Sequence, residues 1–232
     1  MPTAPEIIGH RGAPREAPEN TLPAFRRAIE LGADAVELDV HATSDGVVVV
    51  HHDPVPRVRS APDDLAGRPI AGLTWAELRR VRLDGDVAIP TLRDVLDDLH
   101  ARVRVYVEVK AAAADAAVIA LVRQHGDRCA VHAFDHRVTR RLRAAAPDIR
   151  GGILLSSYLI DTAAAMRAAG ALDLWQHWEF IDEALVAEVH AAGGRVIAWT
   201  VNDVQLAVSF AAIGVDAICS DVPGEMRRAL AG

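Results

Sequence analysis

Residues 35–40 of the chain read Ala-Val-Glu-Leu-Asp-Val, a stretch that decides the fold. Acidic and aliphatic side chains alternate in it, as in a β-strand with two different faces. Toward the N-terminus, residues 21–31 carry apolar side chains at helical spacing and Gly32 follows as a stop signal, which predicts a helix. A further strand is predicted at 6–9. A strand, a helix and a second strand in succession predict parallel pairing through a right-handed crossover.

The same alternation continues to the C-terminus. Further strands are predicted at 104–109, 130–134, 149–155, 172–177, 195–201 and 215–220, with helices between them and a last helix at 223–230. Eight strands separated by helices indicate the α/β class. At 232 residues the chain suits a closed (β/α)8 barrel better than an open doubly wound sheet, since such barrels need roughly 250 residues. We therefore predict one barrel domain over residues 1–232.

One segment interrupts the alternation after the second strand. The turn Ser44-Asp45-Gly46 predicts a small hairpin with a second arm at 47–51, and a polar segment rich in Pro, Asp, Arg and Gly follows at 54–90. Inside it, Thr74 and Glu77 have the spacing of a capping box that opens a short helix. We expect a short insertion over the barrel mouth, which acts either as a lid or as a packed excursion of the chain. A helix at 91–100 should return the chain to the barrel.

Composition excludes several classes of partner. The net charge is −7 and no basic stripe is visible, which argues against nucleic acid. No apolar run approaches the ~20 residues of a membrane span, and the N-terminus lacks the pattern of a signal peptide. We therefore expect a cytoplasmic protein without stable membrane insertion, in which Cys129 and Cys219 are reduced core residues. Only Lys110 among 25 basic residues is a lysine, which suggests a position that arginine would not suit.

Acidic side chains lie at the carboxyl ends of two neighbouring predicted strands. Glu37 and Asp39 share one strand face, and Glu108 points into the same space from the next barrel strand. Active sites of barrels lie at this end of the strands. A hard divalent cation with oxygen ligands would relieve the repulsion among the three carboxylates. The alternative is that each carboxylate forms a salt bridge with an arginine near the rim.

Two histidines end adjacent segments beside these acids. His10 follows the first strand and His52 follows the hairpin, so they are candidates for a general base and a general acid. His51 should point away from His52 and take no part in catalysis. Arg11 could bind two phosphate oxygens through its guanidinium, and Lys110 shares a strand face with Glu108.

These residues, together with others along the chain, resemble the glycerophosphodiester phosphodiesterase family. The matching motifs are His10-Arg11-Gly12, Pro18-Glu19-Asn20-Thr21, Glu37-Leu38-Asp39-Val40, His51-His52-Asp53, Glu108-Val109-Lys110, Trp199-Thr200-Val201-Asn202, Gly214-Val215-Asp216 and Ser220-Asp221. No single motif decides the matter, but their order and spacing agree over nearly the whole chain.

The resemblance implies a TIM barrel with its insertion after strand two and an enzyme of lipid and glycerol metabolism. It implies one Mg²⁺ or Ca²⁺ ion on Glu37, Asp39 and Glu108. It also implies acid–base roles for His10 and His52. The expected substrate is a small glycerophosphodiester, cleaved to an alcohol and sn-glycerol 3-phosphate.

The resemblance further implies phosphate contacts from Arg11 and Lys110, while Trp199 is either a wall of the glycerol pocket or a core aromatic. The nucleophile is either the glycerol 2-hydroxyl, which would give a cyclic phosphate, or water. The chain departs from the family at Ala133-Phe134 and in the sixth strand, where the alcohol would lie.

Two other functions stay open at this point. A lysophospholipase D would use the same chemistry on lysophospholipids, but it would need an apolar groove that the polar segment 54–90 does not suggest. A non-catalytic barrel that binds phosphate esters would lack an acid or a histidine, and neither is missing. A zinc amidohydrolase would need a His-x-His motif where the chain has His10-Arg11-Gly12.

Overall fold

The fold is described from a computed structural model, which covers residues 4–56, 62, 64–99, 102–111 and 114–230. Nine strands lie in these residues: β1 (Glu6–Gly9), β2 (Ala35–Ala42), β3 (Val48–Val50), β4 (Arg104–Val109), β5 (Cys129–Ala133), β6 (Arg150–Leu155), β7 (Asp173–His177), β8 (Arg195–Trp199) and β9 (Ala217–Ser220). The α-helices there are α1 (Leu22–Glu30), α2 (Trp75–Leu78), α3 (Leu92–Leu99), α4 (Asp115–Val122), α5 (His136–Ala145), α6 (Thr162–Ala169), α7 (Glu183–Ala191), α8 (Val204–Ala212) and α9 (Pro223–Leu230).

Eight of the strands form a closed parallel barrel. The sheet runs in the order β1-β9-β8-β7-β6-β5-β4-β2-β3, and the additional pairing of β1 with β2 closes it. β3 lies outside the barrel and pairs with β2 in the antiparallel direction. The predicted (β/α)8 barrel is therefore confirmed. None of the helices in the described part of the chain is long and apolar enough to span a bilayer.

The barrel interior is a separate core from the layer between strands and helices. Inward-facing side chains from alternate strand positions fill the lumen, among them Ile8, Tyr106, Ala130, Trp175 and Ile197. The outward-facing aliphatic side chains pack under the helices as two larger clusters. Inward-facing polar residues nearer the carboxyl ends of the strands lie directly above the layer that fills the lumen and form the floor of the mouth.

Side-chain caps fix where the helices begin at the mouth. Thr21 caps α1 with a proline in its first turn, and aspartates cap the helices that follow four barrel strands, namely Asp135, Asp161, Asp182 and Asp203. Each cap of this kind stabilises a helix by about 1 kcal/mol.

The segment after β3 forms its own small core. Its described part contains α2, and the capping box of Thr74 and Glu77 is present as predicted. Leu65, Ile70, Leu73, Leu78, Val81, Leu83 and Ile89 pack with Val49 of β3. The rest of 54–90, residues 57–61 and 63, lies outside the described residues, as does His100 at the end of the predicted 91–100 helix. A lid role for the segment stays a prediction.

Candidate active site

Three buried carboxylates meet at the floor of the mouth. Glu37, Asp39 and Glu108 are 2%, 1% and 7% exposed, and Asp39 is in register with Glu108 across β2 and β4. The side-chain alternation read from the sequence therefore brings the three predicted metal ligands into one space.

Nitrogen groups of three side chains surround the carboxylate of Asp39. Arg11 Nε is 3.1 Å from its Oδ2, Lys110 Nζ is 2.9 Å from its Oδ1, and Asn20 Nδ2 donates to Oδ2 at 2.8 Å. Burial by itself raises the pKa of Asp39, but Lys110 and Arg11 together lower it to about 2. Asp39 is therefore ionised and balanced by two cations.

Glu37 has less compensation than Asp39. Its Oε2 accepts a hydrogen bond from the Arg11 backbone N–H at 3.1 Å, whereas Oε1 has no hydrogen-bond partner among the described residues. Burial, followed by repulsion from Asp39 and Glu108, raises the pKa of Glu37 well above its usual range. The three carboxylates face two cations, so the fully ionised group retains one negative charge in a buried position.

Lys110 links two of the acids. Its ammonium is 2.7 Å from Glu108 and 2.9 Å from Asp39, and its side chain is 16% exposed. Burial lowers the pKa of Lys110, but the two carboxylates outweigh burial and raise it. Arg11 follows β1 with a backbone φ of 53°, a left-handed conformation that side-chain-bearing residues adopt mainly where neighbouring contacts impose it. Both cations stand at the mouth, where a phosphate would meet them.

His10 is oriented by an aspartate from the other end of the chain. His10 Nδ1 lies 2.7 Å from Asp221 Oδ1, and Asp221 in turn accepts a hydrogen bond from Asn202 Nδ2 at 2.7 Å. A carboxylate beside Nδ1 favours the tautomer that carries the proton there, which leaves Nε2 as the acceptor. This arrangement suits a general base.

His52 has an equivalent partner in the next residue. His52 Nδ1 is 2.8 Å from Asp53 Oδ1, and burial lowers the pKa of His52. The neighbouring charges that act on His52 come from Asp39, Lys110 and Arg11. His51 instead lines a depression between the β1–α1 loop and the insertion, with Pro14, Pro18 and Leu83. His52 therefore pairs with Asp53, whereas His51 Nε2 has no hydrogen-bond partner among the described residues. That the two side chains point in opposite directions, and that His51 takes no part in catalysis, stay predictions.

Aromatic side chains form one wall of the mouth. Trp199 packs edge-on against Phe134 with ring centroids 5.7 Å apart and against His177 at 5.2 Å. Phe134 is 48% exposed and Trp178, the residue after β7, is 37% exposed. The wall therefore contains Phe134, which follows the departure at Ala133, and His177 and Trp178 from the divergent sixth predicted strand.

Three further residues belong to the site: Asn20, which the sequence left open, and Asp221 and His132, which were not predicted as site residues. Asn20 pairs with Asp39 in both directions, since its Oδ1 also accepts the Asp39 backbone N–H at 3.2 Å. Asp221 supports His10, as described above. His132 is 1% exposed and faces Glu37 from β5. A signal for His132 was present, because its imidazole interrupts a strand, Cys129–Ala133, whose other side chains are small or aliphatic.

The chain is similar to known proteins over nearly its whole length. A sequence model of the glycerophosphoryl diester phosphodiesterase family matches residues 10–225. A glycerophosphodiester phosphodiesterase of Caldanaerobacter subterraneus is 28% identical over 94% of both chains. A phosphodiesterase of Oleispira antarctica, solved in complex with the product sn-glycerol-3-phosphate, is 28% identical with a TM-score of 0.88, covering 99% of this chain and 98% of its own. A glycerophosphodiester phosphodiesterase from Thermotoga maritima is 25% identical with a TM-score of 0.82, covering 98% and 99%. The chain belongs to the glycerophosphoryl diester phosphodiesterase family.

Proposed function

We propose that the protein is a metal-dependent phosphodiesterase that hydrolyses glycerophosphodiesters to an alcohol and sn-glycerol 3-phosphate. The observation that carries the proposal is the arrangement at one mouth of two histidine–aspartate pairs around a buried acidic group with Arg11 and Lys110. The product held by the Oleispira antarctica relative supports the choice of substrate.

The acidic group suits a divalent cation. Glu37 Oε1 is buried and has no hydrogen-bond partner among the described residues. With all three carboxylates ionised, the group has one negative charge more than its two cations can balance. Glu37, Asp39 and Glu108 would hold the ion, which when bound would neutralise negative charge on the phosphoryl group. A phosphodiester brings one further negative charge, so a divalent ion would leave the combined site neutral. The preference for Mg²⁺ or Ca²⁺ is an expectation carried by family resemblance.

The protein's own groups would divide the remaining work. Arg11 and Lys110 bind non-bridging phosphate oxygens and hold the phosphorus between the two histidines. His10 Nε2 accepts the proton of the nucleophile, either the glycerol 2-hydroxyl or water, while Asp221 stabilises the charged imidazole. Attack by the 2-hydroxyl would give a cyclic phosphate, which a water molecule must then open to give sn-glycerol 3-phosphate. His52 donates its proton to the oxygen of the departing alcohol. An anionic phosphodiester beside His52 opposes the effect of burial and favours the protonated form needed for this step.

One experiment tests the proposed function directly. Release of sn-glycerol 3-phosphate would be measured from a set of glycerophosphodiesters that differ in the alcohol, with the metal-loaded protein and with protein treated with EDTA. We expect turnover that chelation abolishes and added divalent cation restores. Full turnover after exhaustive chelation would contradict metal dependence, and no release from any diester would contradict the proposed activity.

A second candidate, hydrolysis of lysophospholipids on the same site, is favoured by exposed apolar side chains on one side of the mouth. Phe134, Tyr158, Ile160 and Trp178 lie on the loops after β5, β6 and β7, and Ile160 is fully exposed. An acyl chain could lie along this rim, which the sequence analysis did not foresee. Release of lysophosphatidic acid from a lysophospholipid, compared with release of glycerol 3-phosphate from the deacylated ester, separates the two.

A further inference from the structure

His132 occupies an unusual position for a histidine. It is 1% exposed, and neither ring nitrogen has a hydrogen-bond partner in the described part of the chain. Its ring stacks on Trp175 with centroids 4.0 Å apart and an interplanar angle of 8°. A buried polar group without a partner costs about 1–3 kcal/mol. A purely structural core position would be filled at lower cost by an aromatic hydrocarbon side chain.

The Nε2 atom of His132 faces the buried carboxylates of the mouth. Glu37, Glu108 and His132 each offer one ligand atom, and these atoms lie within 4.8 Å of one another. His132 Nε2 is 4.0 Å from Glu37 Oε1, and the register of β4 and β5 places His132 directly beside Glu108. An ion with bonds of roughly 2.1 Å holds its ligand atoms up to about 4.2 Å apart, so small side-chain movements would bring all three atoms onto one ion.

We propose that His132 is a nitrogen ligand of the divalent cation, and that the site therefore prefers a first-row transition-metal ion to Mg²⁺ or Ca²⁺. The inference rests on the cation site of the proposed function. Oxygen ligands alone suit Mg²⁺ and Ca²⁺, whereas an imidazole nitrogen favours the ions of the Mn²⁺ to Zn²⁺ series. Mn²⁺ is the weakest binder of that series, so a preference for Mn²⁺ over Mg²⁺ is the most demanding test.

The surroundings of His132 suit a ligand. Burial keeps the ring neutral by lowering its pKa to about 3, and a metal ligand must be unprotonated. The stack on Trp175 holds the ring plane, so little side-chain freedom would be lost on binding. Lys110 already lies 2.9 Å from Asp39 and 2.7 Å from Glu108, whereas neither nitrogen of His132 has a hydrogen-bond partner among the described residues.

The test uses MnCl2 and MgCl2 as probes on the full chain, without substrate. Mn²⁺ affinity would be measured by electron paramagnetic resonance of free Mn²⁺, Mg²⁺ affinity by competition, and ligand nitrogen by electron spin echo modulation of bound Mn²⁺. For the wild type we expect a nitrogen coupling and a Kd for Mn²⁺ at least about tenfold below that for Mg²⁺. His132→Phe should abolish the coupling and weaken Mn²⁺ binding by about tenfold or more, with Mg²⁺ affinity changing by less than about threefold.

Two controls keep the test decisive. His132→Phe retains a flat ring against Trp175, so its metal-free melting temperature should equal or exceed that of the wild type. Should it fail to fold, His132→Gln takes its place. His136→Gln, four residues later with Nε2 on the Leu154 carbonyl at 3.1 Å, should leave Mn²⁺ affinity and the coupling unchanged.

The outcomes are separable from those of the proposed function. A wild type without nitrogen coupling, a coupling that persists in His132→Phe, or equal affinity for Mn²⁺ and Mg²⁺ would overturn the inference. None of these results depends on turnover, so a protein that binds Mn²⁺ through His132 but cleaves no diester would refute the activity and leave the ligand assignment standing.

Discussion

The two ends of the barrel use similar residues in opposite ways. At the amino ends of the strands, Tyr106 Oη donates to Glu6 at 3.0 Å and Arg195 donates to Glu6 at 2.6 Å. Arg150 Nε reaches both oxygens of Asp173, at 2.8 Å and 2.7 Å. Each of these carboxylates faces an arginine. At the carboxyl ends, the three buried acids would exceed the two cations by one charge when all are ionised, and Glu37 Oε1 has no hydrogen-bond partner among the described residues.

The comparison shows that unbalanced charge, and not the size of a cavity, distinguishes the functional end. A depression of about 700 Å³ lies at the amino end, lined by Glu6, Asp34, Arg195 and Asp216 among others. Asp34 pairs with Arg227, and Asp216 lies 2.9 Å from His190. Paired charges stabilise the barrel bottom but leave little for a ligand to gain. Unbalanced charges at the mouth cost stability until an ion or a substrate binds.

Removing an acid from the mouth should have the largest effect. Glu37→Gln should lower kcat/KM on the order of 10⁴-fold, because a bound divalent ion supplies several kcal/mol of charge stabilisation. The melting temperature of the chelated protein should not fall, since the change removes a buried repulsion. Steady-state kinetics and thermal melts with and without added cation check both statements. A Glu37→Gln protein that keeps both its turnover and its metal-induced rise in melting temperature would contradict the placement of the ion.

The histidine–aspartate pairs should come next. His10→Ala and His52→Ala should each reduce kcat by about 10²–10⁴-fold, whereas His51→Ala should be much milder. A nitrophenyl ester, which needs no protonation to leave, should partly rescue His52→Ala and should not rescue His10→Ala. Measured kcat values on both substrates decide the matter. Equal rescue of the two variants would remove the assigned acid and base roles.

The sequence predicted the barrel and most of the mouth for clear physical reasons. Alternate residues of a strand lie on the same face, so Glu37 and Asp39 share one face of their strand and Glu108 lies on the same side of the next barrel strand. The register that places Glu108 beside His132, and the pairing of His10 with Asp221, join residues that are distant in the chain. No local pattern encodes such neighbours, so His132 was visible only as an isolated polar residue and Asp221 only as part of the Ser220-Asp221 motif.

The paired network at the barrel bottom was also beyond the sequence. Glu6, Arg150, Asp173 and Arg195 are first residues of their strands, where local patterns indicate only a boundary. Their partners are set by the stagger of the closed barrel. The alternative for the mouth, a salt bridge from each carboxylate to an arginine, describes Asp39 among the described residues. Glu108 lies on Lys110 instead, and Glu37 keeps an oxygen without a hydrogen-bond partner there.

Exchanging the type of cation at the mouth should have a smaller effect. Lys110 places a compact ammonium between Asp39 and Glu108, where a planar guanidinium needs more room. Lys110→Arg should lose about ten- to a hundredfold in kcat/KM and come within about tenfold of Lys110→Ala, each tenfold being about 1.4 kcal/mol. Its melting temperature should barely change. Kinetics and melts of both variants test this, and near wild-type turnover in Lys110→Arg would show that charge alone matters there.

Breaking a pair at the bottom should have the smallest effect on turnover. Asp173→Asn takes the negative charge from a side chain that is 1% exposed and leaves Arg150, whose side chain is 30% exposed, without its ionic partner. Because Arg150 retains contact with water, we expect a loss of about 1–3 kcal/mol in the free energy of unfolding, below that of a fully buried broken pair. The value would come from urea denaturation of the chelated protein, so that bound cation at the mouth makes no contribution. The kcat/KM measured with saturating cation should stay within about twofold of wild type, because no atom of this pair reaches the mouth.

Arg150→Lys is the matched partner of Lys110→Arg: it should lower stability and leave turnover unchanged, the reverse of the effect at the mouth. If Asp173→Asn or Arg150→Lys instead impaired turnover while leaving stability intact, the division of the barrel into a stabilising end and a functional end would be wrong.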